Sequence, residues 1–197
     1  MELASGVRPG RQCLVYSVAG AMVATEALGG RFVLQVGGYS FLNEPGVTAS
    51  CGPAWPGRAP KSELDLHAWF TEIPPGADPE DCWSSPSWLT VADLWLRNLG
   101  PVNEAKGIRV RSLPDFVWGP VARVRDRTGV AFRPDRDATS RFLGLVTEGP
   151  EAGYWMDHLR IADEVACAAV RRLGLPRLRI VADAVVPASF LGPVPVP

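Results

Sequence analysis

Apolar positions recur along this chain with two different periods, and the switches between them mark out its elements. Residues 11–28, RQCLVYSVAGAMVATEAL, space Leu14, Val15, Val18, Met22, Val23 and Leu28 mostly three, four or seven apart, and Gly29-Gly30 then supplies a stop. The pattern predicts a helix with Cys13 in its first turn. There a sulfur lies close to unpaired amide donors and to the positive end of the helix dipole. RFVLQVG, residues 31–37, is rich in β-formers and follows at the distance of a tight connection, so a first strand is expected. Residues 43–62 hold Pro45, Pro53, Pro56 and Pro60 among several glycines and read as a loop that crosses the surface or covers a cleft.

LDLHAWFTEI, residues 64–73, switches to period two, with His67, Trp69 and Thr71 on one face and Leu66, Ala68 and Phe70 on the other. After a polar, proline-punctuated loop, WLTVADLWL at 88–96 gives a third strand. Joined to the second as in a hairpin, it would bring Asp93 within hydrogen-bond reach of His67 across the ladder. Beyond Gly100 the pattern loosens: 112–124 reads as a turn followed by a short strand, and 142–147 as another short strand. A second helix is predicted over 154–173, with Trp155, Leu159, Ala162, Val165, Ala166, Ala169 and Val170 as its apolar face and Gly174 ending it. RLRIVADAVV, 177–186, reads as a last strand, and the proline-punctuated residues 187–197 as an extended tail. No internal repeat or low-complexity block interrupts this order.

A chain of 197 residues suits a single domain, with 10–96 as its proposed catalytic core and 97–186 as an elaboration carrying the second long helix. Charge is balanced, 20 Lys and Arg against 21 Asp and Glu, so no broad attraction to nucleic acid or acidic membranes is expected. No stretch reaches the roughly 18 to 20 apolar residues of a membrane span. Cys13, Cys51, Cys82 and Cys167 form no CxxC, which removes zinc-ribbon and thioredoxin-type motifs and makes a reducing, cytoplasmic location the simpler reading. The alternative is a secreted protein with two disulfides. Arg8 and Arg11 ahead of apolar residues 13–24 superficially resemble a secretory signal whose cleavage would remove Cys13; Glu2, the Tyr16-Ser17 pair and the early strand at 31 speak against it. His67, His158 and Cys82 lack local ligand spacing, and neither a P-loop nor a dinucleotide fingerprint is present, so no metal or cofactor is expected.

A thiol at a helix start, an imidazole in one strand and a carboxylate in the next are the parts of a nucleophilic relay. Dipole and imidazole favour the thiolate, and the carboxylate fixes the imidazole from behind. Asp65 is a second acid near His67, but two residues away on the same strand face it points alongside rather than across. The order of a helix with CLVYSVAGAMVATEALGG, a strand, a long loop, HAWFTE, a loop and TVADLW resembles the transglutaminase-like branch of the papain-like cysteine peptidase superfamily, over about residues 10–96. CLVYSVAGAMVATEALGGRFVLQVG is also similar to the cysteine helix and following strand of small bacterial members, including the leader-processing peptidases of peptide natural-product clusters.

The resemblance implies an α+β, papain-like fold with the cysteine-bearing helix packed on a small antiparallel sheet and the second long helix on the periphery. It implies Cys13 as nucleophile, His67 as the proton carrier and Asp93 as the group that orients it, acting on a peptide, amide or acyl substrate. Water as acceptor makes a peptidase or amidase, an amine makes a transferase, and the sequence leaves that choice open. It leaves open as well a catalytically silent domain of the same fold, a binding or scaffold protein in which Cys13 is merely packed. The family often approaches its cysteine through glycines or a tryptophan, whereas this chain has Gly10-Arg11-Gln12, which leaves the oxyanion donor unassigned, with the backbone amide of Cys13 as the default candidate. Trp69 and Trp95 are candidates to wall a substrate cleft. His158 reads as a surface or helix-packing residue.

Overall fold

The computed structural model describes residues 12–43, 47–51, 67–78, 90–105, 107, 109–110, 112–139 and 152–175. Its elements run α1 (Gln12–Leu28), β1 (Arg31–Asn43), β2 (Val47–Cys51), β3 (His67–Ile73), β4 (Thr90–Asp93), a 3-10 turn (Leu96–Asn98), α2 (Leu99–Glu104), β5 (Val117–Pro120), α3 (Val121–Thr128), β6 (Val130–Pro134) and α4 (Ala152–Arg172). The strands form one antiparallel sheet in the order β2-β1-β3-β4-β5, with β6 also paired to β1. The architecture is therefore α+β, a small antiparallel sheet with helices.

The long strand β1 organises the sheet. Its first half pairs with β3, from Arg31 opposite Ile73 to Gly37 opposite His67, and its second half pairs with β2 and β6. The sequence pattern ends this strand at Gly37, but it continues to Asn43. Gly37 is a crossing point rather than a stop: the Arg133 carbonyl of β6 lies so close that no β-carbon fits there. The stretch read as loop likewise contains β2 at Val47–Cys51, a short β-rich run among prolines.

Helix α1 is buried along most of its length, from Cys13 and Leu14 through Ala24. A helix without a solvent stripe must be covered on more than one side. It packs on β3 and β1 and also on α4, which buries Leu159, Ala162, Ala166 and Val170. The second long helix thus belongs to the core, not to the periphery expected for it.

One stripe of α1 runs down β3 in the same direction. Ser17 Oγ donates to the Ala68 carbonyl at 2.8 Å, and Gly20 lies against Phe70 and Leu94. β3 and β4 are paired at Phe70 and Ala92, so Ser17 meets Ala68 beyond that rung and satisfies a buried acceptor. Residues 13, 17 and 20 share this helix face, which carries Cys13 towards the start of β3.

Residues 112–124 hold the expected short strand, β5, but only as far as Pro120. Helix α3 follows at once, closed by Gly129 in the left-handed conformation with its N–H bonded to the Arg125 carbonyl. The strands expected at 142–147 and 177–186, the tail at 187–197, and Asp65 and Cys82 lie outside the described residues. Cys13 and Cys167 are free thiols, which rules out two disulfides, since these would need all four cysteines. No described helix is long and apolar enough to cross a membrane.

Candidate active site

The three residues singled out from the sequence sit at the ends of their elements and meet. Cys13 is the second residue of α1, His67 the first of β3 and Asp93 the last of β4. The Phe70–Ala92 rung makes His67 and Asp93 diagonal neighbours across the ladder. His67 Nε2 and Asp93 Oδ2 are 2.7 Å apart, with only 2 % and 0 % of the side chains exposed. Asp93 Oδ1 accepts the Trp95 backbone N–H at 2.8 Å, so the carboxylate is held at both oxygens. Cys13 is close enough to the imidazole to be one of the causes that raise the His67 pKa, while Nε2 is committed to Asp93.

Electrostatics follow from this enclosure. Burial by itself lowers the His67 pKa, but the charge and hydrogen bond of Asp93, helped by the hydrogen bond and charge of Cys13, raise it from 6.5 to about 10. The ring is therefore an imidazolium at neutral pH. Aromatic side chains surround it: Tyr39 stands edge-on at 5.4 Å between ring centres, while Trp69, Trp95 and Phe132 lie tilted at 6.0, 6.1 and 6.2 Å. They exclude water, which strengthens the His67–Asp93 pairing.

Trp69 and Trp95 accordingly differ from the cleft walls expected of them. Trp69 is 0 % exposed, packs against Phe132 and His67, and donates its indole N–H to Gln35 Oε1 at 2.9 Å. Trp95 is buried as well, and its indole N–H donates to Gln12 Oε1 at 3.4 Å. Both support the imidazole rather than face an open groove. His158 is buried on α4, the helix-packing outcome of the two considered. Among the described residues, no group of three His, Cys, Asp or Glu side chains could hold a metal ion.

Other side chains around the imidazole escape a reading of the sequence. Tyr39, whose hydroxyl accepts from Asn103 Nδ2 at 2.8 Å, and Phe132 reach the ring through the unforeseen half of β1 and its pairing with β6. Gln35 carries a signal, being the one polar residue inside the strand run FVLQV. Gln12 carries another, its place next to the thiol.

The sequence matches no protein-family profile and no curated protein. A solved chain, described as the crystal structure of genomics APC5867, is similar in fold, with a TM-score of 0.50 and 12% identity over 82% of this chain and 69% of that one. At that identity the likeness is one of architecture.

Proposed function

We propose that this protein is a cysteine-nucleophile acyl-transfer enzyme, a peptidase or amidase of the transglutaminase-like branch of the papain-like superfamily. The observation that carries the reading is the convergence of three element ends: Cys13 at the start of α1 lies near His67 at the start of β3, and the imidazole is 2.7 Å from Asp93, whose other oxygen holds the Trp95 N–H. A cysteine at a helix start beside an imidazole that a carboxylate holds is the arrangement from which such chemistry draws its nucleophile. Cys13 attacks the carbonyl of an amide, ester or thioester, and His67 gives its proton to the leaving group. His67 then takes a proton from the water or amine that releases the acyl group, while Asp93 keeps the ring charged and oriented.

The burial of Cys13, 6 % exposed, favours the second reading of a silent domain with a packed thiol. Site-resolved labelling with an electrophilic thiol probe at neutral pH separates the two. The enzyme reading expects labelling at Cys13 that is lost in Cys13→Ala and His67→Ala and retained in Cys82→Ala, with exposed Cys167 reacting alike in all three. Equal labelling of Cys13 with and without His67, or none in the wild type, leaves the silent domain.

A further inference from the structure

Hydroxyl side chains inside helices commonly bond back to the carbonyl one turn earlier. Thr25 of α1 does so, donating to the Ala21 carbonyl at 2.8 Å, and Thr128 of α3 donates to Val124 at 2.7 Å. Ser17 does not. Its Oγ leaves the helix and donates to the Ala68 carbonyl of β3 at 2.8 Å, a buried bond between residues 51 apart in sequence. The two ends of this bond flank the site. Ser17 stands one turn along α1 from Cys13, where its N–H closes the helical bond to the Cys13 carbonyl. Ala68 directly follows His67.

The sheet shows why the carbonyl takes its partner from the helix. Val36 faces Ala68 across β1 and β3, but its N–H and carbonyl are both turned to the Thr139 hydroxyl, at 3.1 and 3.0 Å. In an antiparallel pair of that kind the polar groups of the facing residue also point outward, here towards β4. β4 pairs with β3 at Phe70 and Ala92 and ends at Asp93, short of the position opposite Ala68. Asp93 there takes the His67 imidazole on one oxygen and the Trp95 N–H on the other as the chain turns away. The acid that orients the imidazole thus ends the ladder, and the helix that carries the thiol supplies a donor in its place. We propose that Ser17 is a positioning residue: its hydroxyl clasps the start of β3 to the first turns of α1 and keeps the imidazole beside the Cys13 sulfur, ready to take and return the thiol proton. This rests on the acyl-transfer reading above. Of the described ionisable side chains, Cys13 on α1, Asp93 on β4 and Tyr39 on β1 act on or face the ring. The last two belong to the sheet and move with it, so the clasp governs the first.

The rate at which iodoacetamide alkylates Cys13, read on its peptide by mass spectrometry across a pH series, tests the clasp. The reagent consumes thiolate. With the imidazole in place the thiolate forms with its help at neutral pH, whereas at strongly alkaline pH any thiol ionises unaided. Ser17→Ala should therefore slow alkylation about tenfold at neutral pH and leave the alkaline rate at the wild-type level. His67→Ala should show the same pattern with a larger loss. Ser17→Thr and Ser17→Val add similar bulk and differ in the hydroxyl; the first should alkylate faster than the second at neutral pH and equally fast at alkaline pH, even where both fold less stably. A hydroxyl that merely satisfies a buried carbonyl would lower the urea midpoint of Ser17→Ala without moving the profile, and that result would overturn the proposal. A rate changed by one factor at every pH, or matching profiles for Ser17→Thr and Ser17→Val, would overturn it as well while leaving the nucleophile in place. A wild-type profile that coincides with that of His67→Ala would overturn the acyl-transfer reading and this inference with it.

Discussion

The two oxygens of Asp93 do different jobs. Oδ2 holds the imidazole, and Oδ1 holds the Trp95 N–H as the chain leaves β4 for the Leu96–Asn98 turn. Asparagine at this position can keep both contacts but removes the charge. Burial then dominates at His67 and brings its pKa down from about 10, so the proton needed by the leaving group is missing near neutral pH. Asp93→Asn should therefore lower acyl transfer by about 10²- to 10⁴-fold at pH 7 and move the alkaline limb of the pH–rate profile to lower pH. A limb that stays in place in the variant would show that it does not belong to His67. Cys13, His67 and Asp93 were legible in the sequence because each is marked by a local pattern, a helix start or one face of an alternating strand. Phe132 and Tyr39 were not, because their contact with the imidazole depends on which distant strand crosses β1 after Gly37.

At the scale of elements, the register between α1 and β3 brings the thiol to the imidazole. Gly20 shows how tightly that register is set: a β-carbon there would lie 2.5 Å from Phe70 Cε1 and 2.7 Å from Leu94 Cδ1. Alanine usually favours a helix over glycine by about 1 kcal/mol. Here the overlap should outweigh that gain, and overpacking of this kind costs about 1 to 3 kcal/mol. Gly20→Ala should lower the urea midpoint and, by lifting the helix off β3, slow labelling of Cys13. A midpoint raised by the substitution would mean that the contact relaxes freely. The long helices were readable from their 3.6-residue spacing, and β3 from its alternation. Helix α3 was not, since valines at 121 and 124 favour a strand, and the decision falls to Pro120 at its start and the left-handed Gly129 at its end. β1 was foreseen only in its first half, because glycine in a strand signals a break when the backbone passing close to it is unknown.

For the molecule as a whole, the His67–Asp93 pair couples folding to pH. The folded pKa of His67 is raised to about 10 from 6.5, so the native state holds its proton more tightly than the unfolded chain. The resulting stabilisation is complete below about pH 6.5 and is lost as pH rises through about 10. Thermal midpoints should fall across that window in the wild type and fall less in His67→Phe, as followed by circular dichroism; equal slopes would assign the loss to other groups. The pair sits where α1, covered by the sheet on one side and by α4 on another, reaches its N-terminal tip. That placement has a kinetic consequence. Amides within residues 16–22, bonded in the helix and enclosed, should exchange with deuterium only when the whole domain opens, whereas Gln12, Cys13 and Leu14 have no acceptor inside the helix and open by fraying of a single turn. Cys13 is thus deep in space but shallow in energy. Its alkylation rate should stay nearly constant with urea until the unfolding transition begins, as expected for a gate that exposes little surface; a rate climbing steeply from the first addition would mean that the sulfur is reached only through global unfolding.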